Sequence, residues 1–401
     1  MISVVIPTYN EAAVIQETLR RAARALEQCG ETFELIVVDD NSNDGTPELV
    51  EALAPELPVR VLRRPGRLGL ATAVVDGWKL AHGDLLAVMD ADLQHPPEVL
   101  AEMARVLRSP AADIVVASRY RAGGGTSDWS WTRRLMSKSA THMAATVLPW
   151  TLDNVTDPMS GMFALRGSTL NGVKLDPTGY KILLEVLAKA RYHSMVEVPY
   201  VFDRRGAGSS KLGGRQSFEY LLHLIRLAWA TGQFAAWVRY LIVGLSGATI
   251  DLVLVYALAE HLGWPALVSV PVAIELALLS NFLWNQLFTF HRAPVGGQAP
   301  SPPAVGGHLD RRDSVFSRLL RYERACTLGA LLNALVTLAA AASGVRLLLA
   351  AGAGVVAGSV WNFGFNIPNI WRAWRKPATP DPGESAVEPL VSTQDDSKLS
   401  R

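Results

Sequence analysis

The chain has 401 residues, enough for two domains of ordinary size. Its 38 Lys and Arg balance 37 Asp and Glu, and this net charge of +1 excludes the broad basic field that nucleic-acid binding requires. Cys29 and Cys326 are the only cysteines, which argues against a disulfide framework and against a zinc site.

The first 120 residues alternate short runs rich in Val and Ile with helical patterns, and they begin without the features of a signal peptide. This alternation predicts βαβ units and a mostly parallel, doubly wound α/β sheet. Ligands of such sheets bind beyond the carboxyl ends of the strands, so the residues that follow each apolar run form the candidate site. The predicted strands are SVVIPTYN, FELIVVDD, VRVLRR, DLLAVMDAD and DIVVASRY.

Two carboxylates close the fourth predicted strand. Asp90 and Asp92, in DADLQ, cannot both be buried at a strand end without a cation. Mg²⁺ or Mn²⁺ takes oxygen ligands and commonly bridges carboxylates to substrate phosphates. The pair therefore indicates a metal and a nucleotide diphosphate, although a solvated turn is the alternative for such a pair taken alone.

Polar and aromatic residues also close the neighbouring strands. Asp39 or Asp40 could accept hydrogen bonds from a ribose or a base edge, and the alternative is a cap on the helix that begins near Thr46. Tyr9 and Glu11, in PTYNE, fall beside the same crevice, where the alternative is again a helix cap.

Residues 216–234 join the sheet domain to an apolar second half, and their apolar side chains are interleaved with His and Arg. The pattern predicts a helix lying at a membrane surface, and a helix packed on the soluble domain is the alternative. The apolar positions are Phe218, Leu221, Leu222, Leu224, Ile225 and Leu227.

Four apolar stretches follow, each long enough to cross about 30 Å of hydrocarbon as a helix. They cover residues 237–260, 265–290, 319–343 and 345–371. The second pair repeats the first and so predicts a two-hairpin repeat. Arg239-Tyr240 and Gly247 recur as Arg321-Tyr322 and Gly329, and Trp284-Asn285 recurs as Trp361-Asn362.

Basic residues predict the orientation of these helices, because short cytosolic loops are enriched in Lys and Arg. Both basic regions, and with them the sheet domain, are expected on the cytosolic face. Segments 293–317 and 375–401 are rich in Pro, Gly, Ser and acids, and we expect them to be flexible or disordered. The basic residues are Arg292, Arg311, Arg312 and Arg318 between the hairpins, and Arg372, Arg375 and Lys376 after the last helix.

Polar side chains also fall inside the apolar stretches, where they are costly unless they face one another or water. Glu275 stands out because it lies within a long apolar run. Hydrogen bonding between helices is favoured over a path for lipid or sugar. The set is Asp251, Glu275, Asn281, Asn285, Asn333 and Asn362.

The motifs PTYNE, VVDDNS, DADLQHPPE, ASRY and DPMSGMFALR, with FDRRGAGSSK from Phe202 to Lys211, resemble family 2 glycosyltransferases of the dolichol-phosphate mannose synthase type. The likeness covers about the first 230 residues, and the remainder resembles the GtrA-like membrane domain. The resemblance implies a GT-A catalytic domain over 1–215, an interface helix over 216–234 and a four-helix membrane domain over 235–374.

Carried over position by position, the resemblance also implies a set of site residues. Asp92 and Gln94 would be ligands of Mg²⁺ or Mn²⁺, and Arg119, Arg133 and Ser137 would bind the lipid phosphate. Arg133 also fits a basic face that attracts anionic lipid. The catalytic residues would be Asp90, Asp92, Arg119, Arg205 and Lys211. The nucleotide-sugar would be bound by Pro7, Tyr9, Glu11, Val38, Asp40, Asp90, Ala91, Asp92, Gln94, Arg119, Arg205 and Lys211.

The implied reaction is an inverting transfer of mannose from GDP-mannose to dolichyl or polyprenyl phosphate. A phosphate monoester has a second pKa of about 6, so its anionic oxygen can attack the anomeric carbon without a catalytic base. Arg205 and Lys211, with the metal, would stabilise the departing diphosphate. The glycine-rich segments 123–125 and 206–214 are either lids or ordinary turns.

Three other functions compete with this one. A UDP-sugar such as UDP-glucose could be the donor, with undecaprenyl phosphate as the acceptor. A processive polysaccharide synthase is disfavoured because the chain has no QxxRW motif and four helices leave little room for a polymer. A flippase or scaffold with a nucleotide-sugar-binding module is disfavoured by the intact DADLQ motif and its neighbouring arginines.

Overall fold

The computed structural model describes residues 1–127, 129–152, 155–176, 181–203, 214–289 and 314–364. Two predicted catalytic residues, Arg205 and Lys211, lie outside these ranges. So do most of the predicted flexible loop, the predicted disordered tail, and every basic residue used for orientation except Arg318.

The N-terminal half alternates strands and helices, as the sequence predicts. Its elements are β1 (Ile2–Thr8), α1 (Ile15–Gln28), β2 (Phe33–Asp39), α2 (Thr46–Glu51), β3 (Val59–Arg63), α3 (Leu70–Leu80), β4 (Leu85–Val88), α4 (Val99–Arg108), β5 (Ile114–Ser118), β6 (Gly125–Thr126), α5 (Trp131–Val147), β7 (Phe163–Arg166), α6 (Ile182–Lys189), β8 (Met195–Pro199) and β9 (Val201–Phe202). The remaining helices are α7 (Gly214–Ala230), α8 (Gln233–Val255), α9 (Ala266–Trp284), α10 (Val315–Ala342) and α11 (Leu347–Gly364).

The main sheet has seven strands in the order β3-β2-β1-β4-β7-β5-β8. All neighbouring pairs are parallel except those of β7, which runs antiparallel to β4 and β5. Successive side chains of a strand point to opposite faces, so Val4 and Ile6 pack with α1 and α4 while Val5 packs with α3. Apolar side chains are needed on both faces, and the near-continuous Val and Ile runs supply them. The predicted mostly parallel α/β fold is confirmed.

This topology brings the candidate residues together. The strands β1, β2, β4 and β5 run in the same direction, so their carboxyl ends meet at one edge of the sheet. Gly125, the last residue of the glycine-rich segment 123–125 that was predicted as a lid or a turn, forms β6 with Thr126, and β6 pairs with β9 beside this edge.

Residues 216–234 were predicted to form either a helix at a membrane surface or a helix packed on the soluble domain. Helix α7 has one face suited to each. Tyr220, Leu224 and Leu227 are buried in the core of the sheet domain. The opposite face leaves large apolar side chains exposed, as expected for a helix at a membrane surface. These are Phe218, Leu221, Leu222, Ile225 and Trp229.

Helix α5 has a second exposed apolar face, which the sequence analysis did not identify. Trp131, Leu135, Met136 and Met143 are all exposed on this helix. The Tyr220 hydroxyl of α7 donates a hydrogen bond to the Ala140 carbonyl of α5 at 2.9 Å, so the two helices lie side by side. Together they give the sheet domain an apolar surface suited to lipid.

The apolar half forms the predicted hairpins. Among the described residues, three helices are long and apolar enough to cross a membrane, namely Gln233–His261, Ala266–Thr289 and Val315–Ala342, and a shorter apolar helix covers Leu347–Phe363. Many of their Leu and Val side chains are exposed, which suits a lipid environment. Arg318, predicted in the loop between the hairpins, lies instead within α10 and is buried.

The two-hairpin repeat is visible in the packing, with one correction to its register. Asn281 packs against Gly247, and Asn362 packs against Gly329, so Asn281 is the counterpart of Asn362. The predicted equivalence of Asn285 with Asn362 was therefore wrong by one helical turn. The sequence supports the corrected register, because the pair Asn-Phe at 281–282 recurs at 362–363.

Aromatic contacts follow the same two-fold relation. The ring of Tyr240 lies 5.3 Å from that of Phe363 in the other hairpin, and the ring of Tyr322 lies 5.7 Å from that of Phe282. Each hairpin therefore contributes one tyrosine and one phenylalanine to the packing between the hairpins.

Candidate active site

Three strand ends at the sheet edge adopt an unusual backbone conformation. Asn10, Asn41 and Leu93, in the turns after β1, β2 and β4, have φ angles of 58°, 66° and 61°. Asparagine tolerates this left-handed region, whereas a leucine there costs about 1–2 kcal/mol. Such conformations concentrate at functional sites, because the surrounding structure must hold them. All three lie beside predicted site residues.

The carboxylate of Asp39 forms hydrogen bonds with neighbouring residues of the chain. It accepts hydrogen bonds from the Thr8 hydroxyl at 3.0 Å and from the Ser42 hydroxyl and amide at 2.5 and 2.8 Å. These bonds tie the turn after β1 to the turn after β2. The helix that begins at Thr46 is stabilised instead by Asp44, so neither Asp39 nor Asp40 is the predicted cap.

Asp40 is buried and paired with Arg64. The Arg64 guanidinium donates to Asp40 at 2.5 Å, and the Gly69 amide donates to its other oxygen at 2.7 Å. A ribose or base hydrogen bond would use the remaining lone pairs of this fixed carboxylate. Val38 is fully buried in the core, so only its backbone is available to a nucleoside.

The turn after β1 presents an aromatic ring to the crevice. The Arg67 guanidinium lies 4.3 Å from the centre of the Tyr9 ring. The Glu11 amide is held by the Thr46 hydroxyl at 2.9 Å, which fixes the backbone of PTYNE against the turn after β2. Pro7 is half-buried and pairs in register with Val38.

Asp92 and Gln94 lie buried in the turn after β4. The backbone N–H of Gln94 donates a hydrogen bond to Asp92 Oδ1 at 3.1 Å. The Gln94 side-chain Nε2 donates to the Asp203 carbonyl at 3.3 Å, which leaves its amide oxygen for another partner. Gln94 thus links the turn after β4 to Asp203, which precedes Arg205 and Lys211 in the sequence. Ala91 is buried, and its carbonyl accepts from the Thr18 hydroxyl at 2.8 Å.

Asp90 is the more accessible carboxylate of the pair, with 30% of its side chain exposed. Gly161, in the DPMSG segment, closes one side of it, since a Cβ there would lie 2.6 Å from Asp90 Oδ2. His95 Nδ1 lies 3.5 Å from the same oxygen. Burial lowers the pKa of His95 to about 4, so this ring is neutral at neutral pH.

The donor set at Asp92 and Gln94 fits a hard divalent cation. One carboxylate and one amide oxygen suit Mg²⁺ or Mn²⁺, which usually complete their coordination with water and substrate phosphates. No three His, Cys, Asp or Glu side chains within the described ranges are grouped closely enough to hold a metal. A cation held by Asp92 and Gln94 would therefore take its remaining ligands from water or from a bound phosphate group.

Arg119 is fixed by a buried ion pair with Asp157. Its Nε and Nη2 donate to the two carboxylate oxygens at 2.7 and 2.6 Å. Burial alone would lower the pKa of Arg119, but the hydrogen bonds to Asp157 outweigh it and raise that pKa. The guanidinium is therefore a permanent charge in one orientation, as phosphate binding requires.

The three predicted lipid-phosphate residues lie together around two aromatic rings. Arg119 and Arg133 approach the Trp129 ring at 5.1 and 4.5 Å, and the Ser137 hydroxyl lies 2.9 Å from the Tyr120 hydroxyl. Arg133 and Ser137 belong to α5, the helix with the exposed apolar face. Helix α5 thus connects the cluster of Arg119, Arg133 and Ser137 to the apolar surface.

Two charged site residues were missed by the sequence analysis. Asp157 lies in the quoted motif DPMSGMFALR, which is the signal that could have identified it. Lys181 donates from Nζ to the Met159 carbonyl at 2.9 Å, and its electrostatic neighbours are Arg119, Asp90 and Asp157. Enclosure of its ammonium lowers the pKa of Lys181 to about 8. No motif in the sequence indicated this lysine.

Two known families match the chain in its two halves. Residues 3–168 match the family described as "Glycosyl transferase family 2". Residues 239–371 match the family described as "GtrA/DPMS, transmembrane domain". The boundary between the two matches contains α7 and the start of α8.

Curated relatives extend the similarity over both halves. The chain is 41% identical over 355 residues to the dolichol-phosphate mannosyltransferase of Pyrococcus furiosus, covering 88% of this chain and 95% of the relative. It is 39% identical over 236 residues to the enzyme of that name from Saccharomyces cerevisiae, covering 56% of this chain and 86% of the relative. The Mycosarcoma maydis enzyme is 36% identical over 56% of this chain and 78% of its own length.

Solved structures show more distant similarity. Glucosyl-3-phosphoglycerate synthase from Mycobacterium tuberculosis has a TM-score of 0.42 and 24% identity, covering 57% of this chain and 79% of its own. Mannosyl-3-phosphoglycerate synthase from Rubrobacter xylanophilus has a TM-score of 0.45 and 19% identity, covering 58% and 75%.

Proposed function

Because the chain belongs to the dolichol-phosphate mannosyltransferases of glycosyltransferase family 2, we propose that GDP-mannose is its donor and a dolichyl or other polyprenyl phosphate its acceptor. The near full-length similarity to the Pyrococcus furiosus enzyme supports this donor and acceptor. We further propose that the catalytic domain lies on the cytosolic face, on the basis of the basic residues that flank the predicted hairpins.

The observation that carries the proposal is the double role of α5. Arg133 and Ser137 of this helix lie with Arg119 around the Trp129 and Tyr120 rings, while its Trp131 and Met136 are exposed, like the apolar face of α7. An acceptor with a phosphate head and a long hydrocarbon tail matches both features. A soluble sugar acceptor would not require the apolar face.

In the proposed reaction an anionic oxygen of the lipid phosphate attacks the anomeric carbon of the sugar. The new carbon–oxygen bond forms as the bond to the nucleoside diphosphate breaks, and the configuration inverts. Arg119, held by Asp157, would orient the attacking phosphate, and Lys181 would offset the charge of Asp90. The acceptor is already ionised, so no side chain is needed to remove a proton.

At the donor end, Asp92 and Gln94 are proposed to hold Mg²⁺ or Mn²⁺ against the diphosphate. A bound cation would neutralise the charge that develops on the leaving group. Arg205 and Lys211, outside the described ranges, are proposed to contact the same leaving group. Tyr9, Glu11 and Asp40 are proposed on the nucleoside side of the crevice.

The metal assignment is tested by replacing Asp92→Asn, which keeps the shape of the side chain and removes its charge. We expect transfer of labelled mannose to lipid phosphate to fall by at least about 100-fold, since charge stabilisation of a leaving group has this magnitude. Glu102→Gln, at an exposed carboxylate of α4, is the control. Full activity of the Asp92 variant, or equal activity in excess chelator, would refute the assignment.

Donor identity is tested by supplying membranes with labelled GDP- and UDP-sugars and extracting the lipid product. The proposal expects labelled lipid from GDP-mannose above all others. Preferential labelling from UDP-glucose would replace mannose with glucose and leave the reaction type intact.

A further inference from the structure

A buried carboxylate interrupts β8, a strand at the edge of the main sheet. The side chains of Val196 and Val198 pack into the core on one face of this strand, and Glu197 points to the opposite face. The Glu197 side chain is fully enclosed, with 0% of its surface exposed. A buried carboxylate is costly unless the fold supplies donors, so the groups around Glu197 indicate its role.

Glu197 holds the loop that precedes β7. One carboxylate oxygen, Oε1, accepts hydrogen bonds from the backbone N–H groups of Thr156 and Asp157 at 2.8 and 3.0 Å. The other oxygen, Oε2, accepts from the Thr156 hydroxyl at 2.8 Å and lies 3.4 Å from Arg121 Nε. Hydrogen bonds to an ionised group are stronger than those between neutral groups, so one side chain fixes two consecutive residues of the loop.

Asp157 carries this anchoring to Arg119. Its Oδ2 accepts from the Arg119 backbone N–H at 3.1 Å, in addition to the two bonds from the guanidinium. The position of the Asp157 carboxylate depends on its own backbone, whose N–H is bound by Glu197. Glu197 is not among the described hydrogen-bond partners of Arg119, so its influence on the guanidinium passes through Asp157.

Thr156 carries the same anchoring to helix α5. Its hydroxyl lies 2.7 Å from the Ser118 hydroxyl, and Ser118 Oγ accepts from the Tyr120 backbone N–H at 3.2 Å. The Tyr120 hydroxyl in turn lies 2.9 Å from the Ser137 hydroxyl of α5. The buried carboxylate of β8 therefore supports both Arg119 and Ser137, although these residues belong to different elements.

We propose that Glu197 is a positioning residue for the acceptor phosphate, an inference that rests on the proposed function. Its carboxylate holds Thr156 and Asp157 so that the Arg119 guanidinium meets the phosphate in one orientation. A group that is fixed before the ligand arrives loses less entropy on binding, so removal of the anchor weakens the affinity for the phosphate. The nucleotide side of the crevice is built from other strand ends, so the affinity for GDP should change little.

The test measures equilibrium binding to the full chain in detergent, with a fluorescent polyprenyl phosphate as one probe and GDP with Mg²⁺ as the other. Glu197→Ala leaves buried N–H groups of the loop without their acceptor. It should raise the Kd of the lipid phosphate about tenfold and leave the Kd of GDP within about twofold. Glu197→Gln should recover part of the loss, because its amide oxygen can still accept from the two backbone N–H groups. An unchanged Kd for the lipid phosphate, or an equal rise in the Kd of GDP, would overturn the proposal.

Glu34→Ala is the matched control. Glu34 is also buried, and it accepts from the Ser3 hydroxyl and the His82 backbone N–H at 2.6 and 2.7 Å. It lies near the start of β2, at the end of the sheet opposite the site. Its loss should lower the midpoint of thermal unfolding, as the loss of Glu197 does, and leave the Kd of the lipid phosphate unchanged. An equal rise in Kd in both variants would overturn the proposal, because general loss of stability would then explain the effect.

A double variant tests the route through Asp157. Asp157→Asn should itself raise the Kd of the lipid phosphate, because it removes the charge that holds Arg119. Glu197→Ala added to this variant should raise the Kd by less than it does in the native chain, since the two residues act in one network. Effects that multiply in full would overturn the proposal.

Transfer of labelled mannose, measured in the same preparations, tests the proposed function separately. A native chain that binds polyprenyl phosphate but transfers no mannose from GDP-mannose would refute the proposed donor and leave the binding test of Glu197 valid. A native chain that does not bind polyprenyl phosphate would overturn both the proposed acceptor and the role of Glu197. Normal transfer together with equal lipid binding by the native chain and the Glu197 variants would overturn the role of Glu197 alone.

Discussion

At the scale of single residues, the charged side chains of the site are fixed by hydrogen bonds to other residues. Asp157 fixes Arg119 through two hydrogen bonds, and the Glu197 carboxylate accepts from the Thr156 and Asp157 amides at 2.8 and 3.0 Å. The loop that presents Asp157 is therefore itself anchored. Such support holds the Arg119 guanidinium in one orientation, which the proposed role in binding the lipid phosphate requires.

Lys181 gives the site an expected pH dependence. Its pKa of about 8 means that the ammonium is charged below that pH and loses its proton as the pH rises through it. Loss of this charge leaves Asp90 without its nearby cation and weakens binding of a diphosphate. We expect transfer activity to decline above a pH of about 8, measured as kcat/KM for the donor.

Variants of the lysine separate this role from simple packing. Lys181→Arg should move the alkaline decline to higher pH, because guanidinium stays charged, and Lys181→Met should be impaired across the whole range. Lys79→Met, at an exposed lysine of α3, is the matched control. An unchanged alkaline decline in Lys181→Arg would contradict the prediction.

At the scale of elements, we propose that the exposed apolar faces of α5 and α7 guide the lipid acceptor to the site. Replacing Leu135→Gln and Met136→Gln together should raise KM for a long-chain polyprenyl phosphate about tenfold and leave kcat nearly unchanged. Each buried apolar side chain contributes about 1.5–3 kcal/mol to association with lipid, and part of this is retained by the remaining apolar residues. The measurement is steady-state transfer with acceptors of different chain length.

The control for this prediction is Leu80→Gln, an exposed leucine at the end of α3. It should change neither constant. A short-chain, water-soluble phosphate acceptor should be used equally well by the double variant and the native chain. An equal loss with short and long acceptors would mean that the substitutions damage the pocket rather than the apolar face.

The membrane helices approach one another closely at glycine residues, and substitutions at two glycines test this packing. Gly247→Ala would place a Cβ against the Asn281 side chain, whereas Gly352→Ala meets nothing within 4 Å. Alanine is favoured over glycine in a helix by about 1 kcal/mol, so Gly352→Ala should be neutral or stabilising. Gly247→Ala should lower the midpoint of thermal unfolding in detergent by several degrees. Equal midpoints would show that the bundle absorbs the added methyl group.

At the scale of the whole molecule, the described residues of the two halves meet at Trp150, Thr151 and Gln233. The Gln233 side chain donates to the Thr151 hydroxyl at 2.8 Å, and Trp150 packs with Tyr240 and Tyr322. These contacts tie the end of the catalytic domain to α8. We propose domain limits of 1–215, 216–234 and 235–374, with the connection made at these residues.

A truncation after Gly232 tests what the membrane half contributes. The sheet domain keeps its own core, α5 and α7, so transfer to a detergent-solubilised lipid phosphate should be retained within about tenfold. Its thermal midpoint should fall, because Trp150 and Thr151 lose their partners. Complete loss of transfer in detergent, with the domain still folded by circular dichroism, would assign the helices a part in catalysis.

The sequence by itself determined the features that depend on short stretches of chain. Alternating Val- and Ile-rich runs predicted the strands, and the strand ends located Tyr9, Asp40 and Asp92 at one edge of the sheet. Apolar stretches predicted the hairpins. These predictions hold because backbone period and side-chain class are properties of neighbouring residues.

Only the tertiary structure decided the pairings between distant residues. Arg119 meets Asp157 across 38 residues, and Asp251 meets Asn333 across 82. The position of Lys181 beside these charges left no local pattern in the sequence. Partners of this kind are selected by packing of whole elements, since a buried charge or amide is stable only where the fold brings a complementary group within hydrogen-bonding distance.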